Sequence, residues 1–176
     1  MAPDTRLVLF HKQGTSARTR FLRFADSLLG FAPLPEGAVL RAESESQGTV
    51  LTHPAPVLRQ AEERLGLPPG SLLAEAEFSA TADTPQGEVQ ILLAGFTSID
   101  PPFAAATDAG GRFVAITEAR GLPPIELELA RRALAQQLRE REVFDSPDAV
   151  KHYLQLHLAA KGHEVFAVLF LDAQNR

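Results

Sequence analysis

A chain of 176 residues, 45% apolar and 22% charged, can bury a real core and has the make-up of an ordinary globular protein. Its net charge of −5 gives no broad attraction for nucleic acid or an anionic membrane surface, although a local basic patch is compatible with it. The absence of cysteine removes disulfides, thiolate metal sites, thiol nucleophiles and redox switching together. No apolar run approaches the roughly 18 residues of a membrane helix. The Met1-Ala2-Pro3-Asp4 start lacks the basic and apolar regions of a signal peptide. The expectation is a cytoplasmic protein with no membrane contact.

In chain order, Leu7 to Phe10 is an apolar run that reads as a buried strand. Thr15 or Ser16 can cap a helix after it, in which Phe21, Phe24, Ala25 and Leu28 recur at helical spacing before Gly30. Ala38 to Glu43 is a candidate second strand. Pro54 to Leu65 predicts a helix closed by Gly66 and the Pro68-Pro69-Gly70 stop.

The clearest β signal follows. Ala74, Ala76, Phe78, Ala80 and Ala82 alternate with polar residues, a period of two. Thr84-Pro85-Gln86-Gly87 supplies Pro and Gly where a β-turn uses them. Val89 to Phe96 is the return strand, and its Ile91-Leu92-Leu93-Ala94 run predicts burial on both faces. Asp100-Pro101-Pro102 stops it, and Phe113 to Thr117 is a short candidate strand.

Pro123-Pro124 opens a helix with an apolar stripe at Ile125, Leu129 and Ala133. Ser146-Pro147-Asp148 starts another, and Val165 to Leu171 reads as a strand covered on both sides. These elements predict an α+β fold. Its mixed sheet carries an antiparallel hairpin over about 72–97, packed by helices and followed by a C-terminal helix–strand unit.

The C-terminal third carries a resemblance. It lies in Glu128-Leu129-Ala130-Arg131-Arg132-Ala133-Leu134, in Asp145-Ser146-Pro147-Asp148-Ala149-Val150, in Tyr153-Leu154, and in the unbroken run from His163 to Arg176. This stretch resembles a RadC-type protein at the entry to its JAB/MPN domain. The resemblance divides the chain into an uncharacterised α+β domain (1–123) and a RadC-like helix–helix–strand fragment (124–176). In that family a glutamate leading an early strand serves as general base to a zinc-bound water held by a His-x-His-Pro segment and an aspartate, and Glu164 stands at the matching place. This sequence contains no His-x-His and ends at Arg176, before any such ligands. The expectation is therefore a non-catalytic protein with no metal and no cofactor. Its RadC-like segment serves structure or protein contact, including homo-oligomerisation, through the apolar C-terminal strand.

Two alternatives stand beside it. One is a zinc metallopeptidase or DNA-repair protein, as the family name implies. The other is a small-anion or nucleotide site in the 11–20 loop, where Gly14, Thr15, Ser16 and Arg18 would open a helix with backbone N–H groups, hydroxyls and a guanidinium. Ser98 and Asp100 after the buried strand are compatible with a sheet-edge site or with simple turn chemistry. His11, His53, His152, His157 and His163 show no pair with metal-ligand spacing.

Overall fold

A computed structural model describes residues 4–14, 18–42, 52–118 and 121–139. The expected elements after residue 139, including the Ser146 helix start, the Val165–Leu171 strand and Glu164, lie outside the described residues, as do Thr15 and Ser16.

The described residues form a mixed sheet flanked by helices on both faces, an α+β arrangement as expected. Its strands are β1 (Asp4–Lys12), β2 (Thr19–Phe24), β3 (Val39–Leu40), β4 (Leu72–Ala74), β5 (Ala80–Thr84), β6 (Gly87–Phe96) and β7 (Gly111–Val114). The helices are α1 (Pro54–Arg64), α2 (Phe103–Asp108) and α3 (Pro124–Arg139). The strand order is β3-β5-β6-β1-β2-β7, with β4 also on β6. Among the described residues only the β1–β6 pairing is parallel; the other named pairs are antiparallel.

The two central strands alternate strictly between two cores. Val8 and Phe10 of β1, with Ile91 and Leu93 of β6, face the layer completed by Leu129, Ala130, Ala133 and Leu134 of α3. Leu7, Leu9, Leu92 and Ala94 face the opposite layer, closed by Ala61 and Leu65 at α1 and by Ala106 of α2. A strand apolar at every position is what burial on both faces demands. Each such Leu, Ile or Phe stabilises the fold by roughly 1.5–3 kcal/mol through its removal from water.

The hairpin forms as predicted, with Thr84 paired to Gly87 across the turn. Thr84 Oγ1 donates to the Gly87 carbonyl, and Gly87 takes a φ of +127° that the turn requires. Its first strand is interrupted, however. Ala74 lies opposite Ala94 and Ala80 opposite Ile91, so six steps on one side face three on the other. Residues 75–79 bulge out between β4 and β5 and drop Phe78 into the α3-side core.

The largest departure from expectation is in 15–30. The described part of that segment is no helix: Thr19–Phe24 is a strand hydrogen-bonded to β1 and to β7. Phe21 and Leu22 enter opposite cores, which a helical face would not allow. Pairing with both neighbours overrides a spacing that fitted either period. Ala25, at a left-handed φ of +47°, then turns the chain, and Phe24 and Ser27 exchange backbone hydrogen bonds of 2.8 and 2.9 Å. Three further adjustments are smaller. The 38–43 strand shortens to β3. The 113–117 strand shifts to β7, with a 3-10 turn at Ile116–Glu118. The alanine-rich stretch after Pro102 forms α2, which the stop signals around it concealed.

Gly95 shows how tightly the centre is filled. It lies opposite Phe10 in the parallel register, and a Cβ on it would come within 3.0 Å of the Phe10 ring tip. Gly95→Ala is expected to destabilise the protein by about 1–3 kcal/mol through overpacking. A urea midpoint lowered at unchanged slope would show it; an unchanged midpoint would mean that the Phe10 ring has room to move.

Candidate functional site

The residues singled out in the 11–20 loop are only partly brought together. Gly14 sits in the turn between β1 and β2, exposed, and Arg18 is exposed where the chain returns. Gln13 N–H donates to the Arg18 carbonyl at 3.0 Å, closing a hairpin. Among the described residues the segment after the turn is strand β2 and not the helix whose N-terminus was to hold an anion, so that part of the expectation is corrected. Beneath this hairpin, His11 is almost fully buried, and its Nε2 lies 2.8 Å from the Ser98 carbonyl. A carbonyl only accepts, so Nε2 carries the hydrogen. Ser98, exposed on the surface, donates through Oγ to the Asp100 carbonyl at 2.7 Å, as in ordinary turn chemistry. His53 caps α1 by accepting from Ala55 N–H through Nδ1.

A second place was not apparent from sequence. The 24–38 loop and the start of α3 enclose a cleft of about 520 Å³. Phe24, Pro33, Leu34, Pro35 and Ile125 supply apolar walls, and Asp26, Ser27, Glu36 and Glu126 supply polar groups. Glu126 is the centre of it. Its residue is 2% exposed, an unusual state for a carboxylate. Ser27 Oγ donates to Oε1 at 2.8 Å and the Leu28 N–H to Oε2 at 2.6 Å. Ser27 Oγ accepts in turn from Leu29 N–H at 3.0 Å. One carboxylate from the first turn of α3 thus fixes the strained turn that follows β2.

Burial raises the Glu126 pKa above the ordinary glutamate value. The two hydrogen bonds and the nearby Arg23 guanidinium oppose the shift without cancelling it. Arg23 is itself buried and donates to the Ala25 carbonyl and to Asp26. Every named polar partner around the cleft therefore belongs to the turn that forms it. A carboxyl with a raised pKa beside a cleft can mark a functional site, but structural networks produce the same signature. Among the described residues no group of three His, Asp or Glu is placed to hold a metal. Among them, too, no helix is long and apolar enough to cross a membrane.

The opening of the RadC-like stretch is described as part of α3. Leu129, Ala130 and Ala133 of that motif are at most 1% exposed against the sheet. On the other side of the helix Glu128 accepts from Arg131 at 2.7 Å and from Arg132 at 3.0 Å, which holds its pKa below the usual glutamate value. Arg132 Nη1 also donates to the Arg41 carbonyl at 2.9 Å, beyond the end of β3.

No family profile matches the chain. It is 90% identical to a UPF0758 protein of Verminephrobacter eiseniae and 86% identical to one of an Acidovorax species, each over 50 residues, 28% of this chain. A UPF0758 protein of Methylibium petroleiphilum is 44% identical over 133 residues, covering 68% of this chain. That span is larger than the C-terminal segment alone. The chain spans 21% of the length of each of the first two relatives and 57% of the third. The chain is thus similar to UPF0758 proteins, closely over a short stretch and more distantly over a longer one, and this similarity supports a RadC-like family.

Proposed function

We propose that this is a non-catalytic protein in which a RadC-like segment is built onto an α+β domain for structure and protein contact. The observation that carries the reading is the place of the RadC-like helix. Its motif residues Leu129, Ala130 and Ala133 are consumed as core on one face of the sheet, and Arg132 ties it to the β3 side. A helix so used is a joint between the domain and whatever follows it. The described acids support the same reading: Glu126 holds a turn, Glu62 accepts from the Leu72 N–H at 3.0 Å, and Glu128 is paired to two arginines. None of these is an acid–base pair facing an open cleft. Under this reading Glu164, which matches the general base of the resembled family in sequence, serves no metal.

Zinc content tests it. The purified full chain, dialysed against zinc and then against buffer, is expected to retain zinc well below one equivalent by elemental analysis. Stoichiometric zinc retained through the dialysis would overturn the reading in favour of a metal centre.

A further inference from the structure

The cleft beside Glu126 is walled by apolar side chains, yet each charged side chain lining it is acidic. Asp26 and Glu36 stand exposed at its mouth, and Glu126 lies buried within. Arg23 sits behind the wall, its side chain 7% exposed, and donates to Asp26 Oδ1 at 2.9 Å. Arg23 offsets Asp26, and the exposed Glu36 leaves the mouth negative. The walls are also preformed. Pro33, Pro35 and Pro123 each fix a backbone angle, and Glu126 ties down the opposite turn. A site that needs no ordering on binding loses less affinity to conformational entropy. The volume falls within the range of roughly 300–1,000 Å³ that ligand pockets occupy.

We propose that this cleft docks a segment of a partner protein in which a Lys or Arg stands beside apolar side chains. The inference rests on the protein-contact reading above and names its chemistry. A long basic side chain offers both features the cleft presents: a methylene stem for the Leu34, Pro35 and Ile125 walls, and a cationic head for Asp26 and Glu36. The same acidic mouth repels acidic segments, so charge here selects among partners as well as attracting them.

The test titrates the full chain into a fluorescein-labelled hexapeptide, Gly-Leu-Lys-Pro-Leu-Gly. Two counterparts carry Glu or norleucine in place of the Lys. Saturable binding of the Lys peptide is expected, with the Glu peptide at least about tenfold weaker, a difference of about 1.4 kcal/mol. Glu36→Lys is expected to weaken the Lys peptide by a similar factor. Glu36 is an exposed loop residue, so the circular dichroism spectrum should be unchanged. No binding, equal binding of all three peptides, or indifference to Glu36→Lys overturns the proposal. Self-association abolished by Glu36→Lys, without peptide binding, also overturns it and assigns the cleft to a second copy. The zinc measurement fails or holds independently: a failed peptide test without bound zinc removes this cleft while leaving the non-catalytic reading intact.

Discussion

Phe21→Ala is expected to remove about 3–5 kcal/mol of stability, the range for deleting a large buried aromatic side chain. Phe21 is fully buried in the middle of β2, opposite Phe10 on one neighbour and Val114 on the other. It belongs to the core that also contains Leu129 and Ala133 of α3, so its loss opens a cavity bounded by a sheet and a helix that cannot both collapse onto it. Against a total stability of about 5–15 kcal/mol for a domain, this is enough to leave the variant partly unfolded at moderate temperature. Urea unfolding followed by circular dichroism measures it. The companion variant Phe24→Ala makes the measurement diagnostic. Phe24 is only half-buried and packs on the opposite core, so it should lose markedly less. In a helix the two phenylalanines would share one face at a spacing of three and cost alike. Equal losses would therefore contradict the strand.

That contrast marks where the sequence was legible. The hairpin could be read because its turn residues have unambiguous geometry and because Ile91 to Ala94 contains nothing polar to face water. α1 could be read from Pro54 at its start and from Gly66, which takes a left-handed φ of +64° at its end. β2 could not, because Phe21-Leu22-Arg23-Phe24 suits both periods when no partner strand is known. What decides it is hydrogen bonding to β1, 7 to 11 positions away, and to β7, 87 to 93 positions away. The bulge at 75–79 was hidden for a related reason. The Ala–Glu alternation satisfies period two throughout, while the partner strand is three residues shorter over that stretch. α2 is too short to show a stripe.

The cleft was illegible for the same reason at a higher level. Glu126 in the first turn of α3 reads as an ordinary favourable charge at the positive end of a helix. Its burial follows from a turn 98 and 99 residues earlier, and no local pattern announces that. Of the residues named in advance, Gly14 and Arg18 are placed at a hairpin rather than at a helix start.

Glu126→Ala is expected to cost about 2–4 kcal/mol, combining two buried donors left without acceptors and a small cavity. The donors are the Ser27 hydroxyl and the Leu28 N–H, both inside the protein. Glu126→Gln should cost about 1 kcal/mol, since its one oxygen can serve Leu28 while its amide meets the Ser27 oxygen. The two variants also separate charge from shape. The folded protein raises the Glu126 pKa, so between the ordinary carboxyl range and the raised value the folded state holds more protons than the unfolded one. Its contribution is therefore fully present below the unfolded pKa and is lost as pH rises through the folded one. The lowered carboxyls, Asp83 beside Arg41 and Glu128 beside Arg131, have the opposite slope and lose their contribution as pH falls through their folded values. The stability of wild type relative to Glu126→Gln should accordingly fall with rising pH across the window just above the usual glutamate range. It should be flat at lower pH, where Glu126 is protonated in both states. Urea midpoints at a series of pH values read this directly, and a difference independent of pH would mean that the buried carboxyl ionises as freely as an exposed one. Because the same carboxyl ties down the wall that carries Asp26, Glu126→Ala should also weaken binding of the Lys peptide. Glu126→Gln, which keeps the turn closed, should weaken it less.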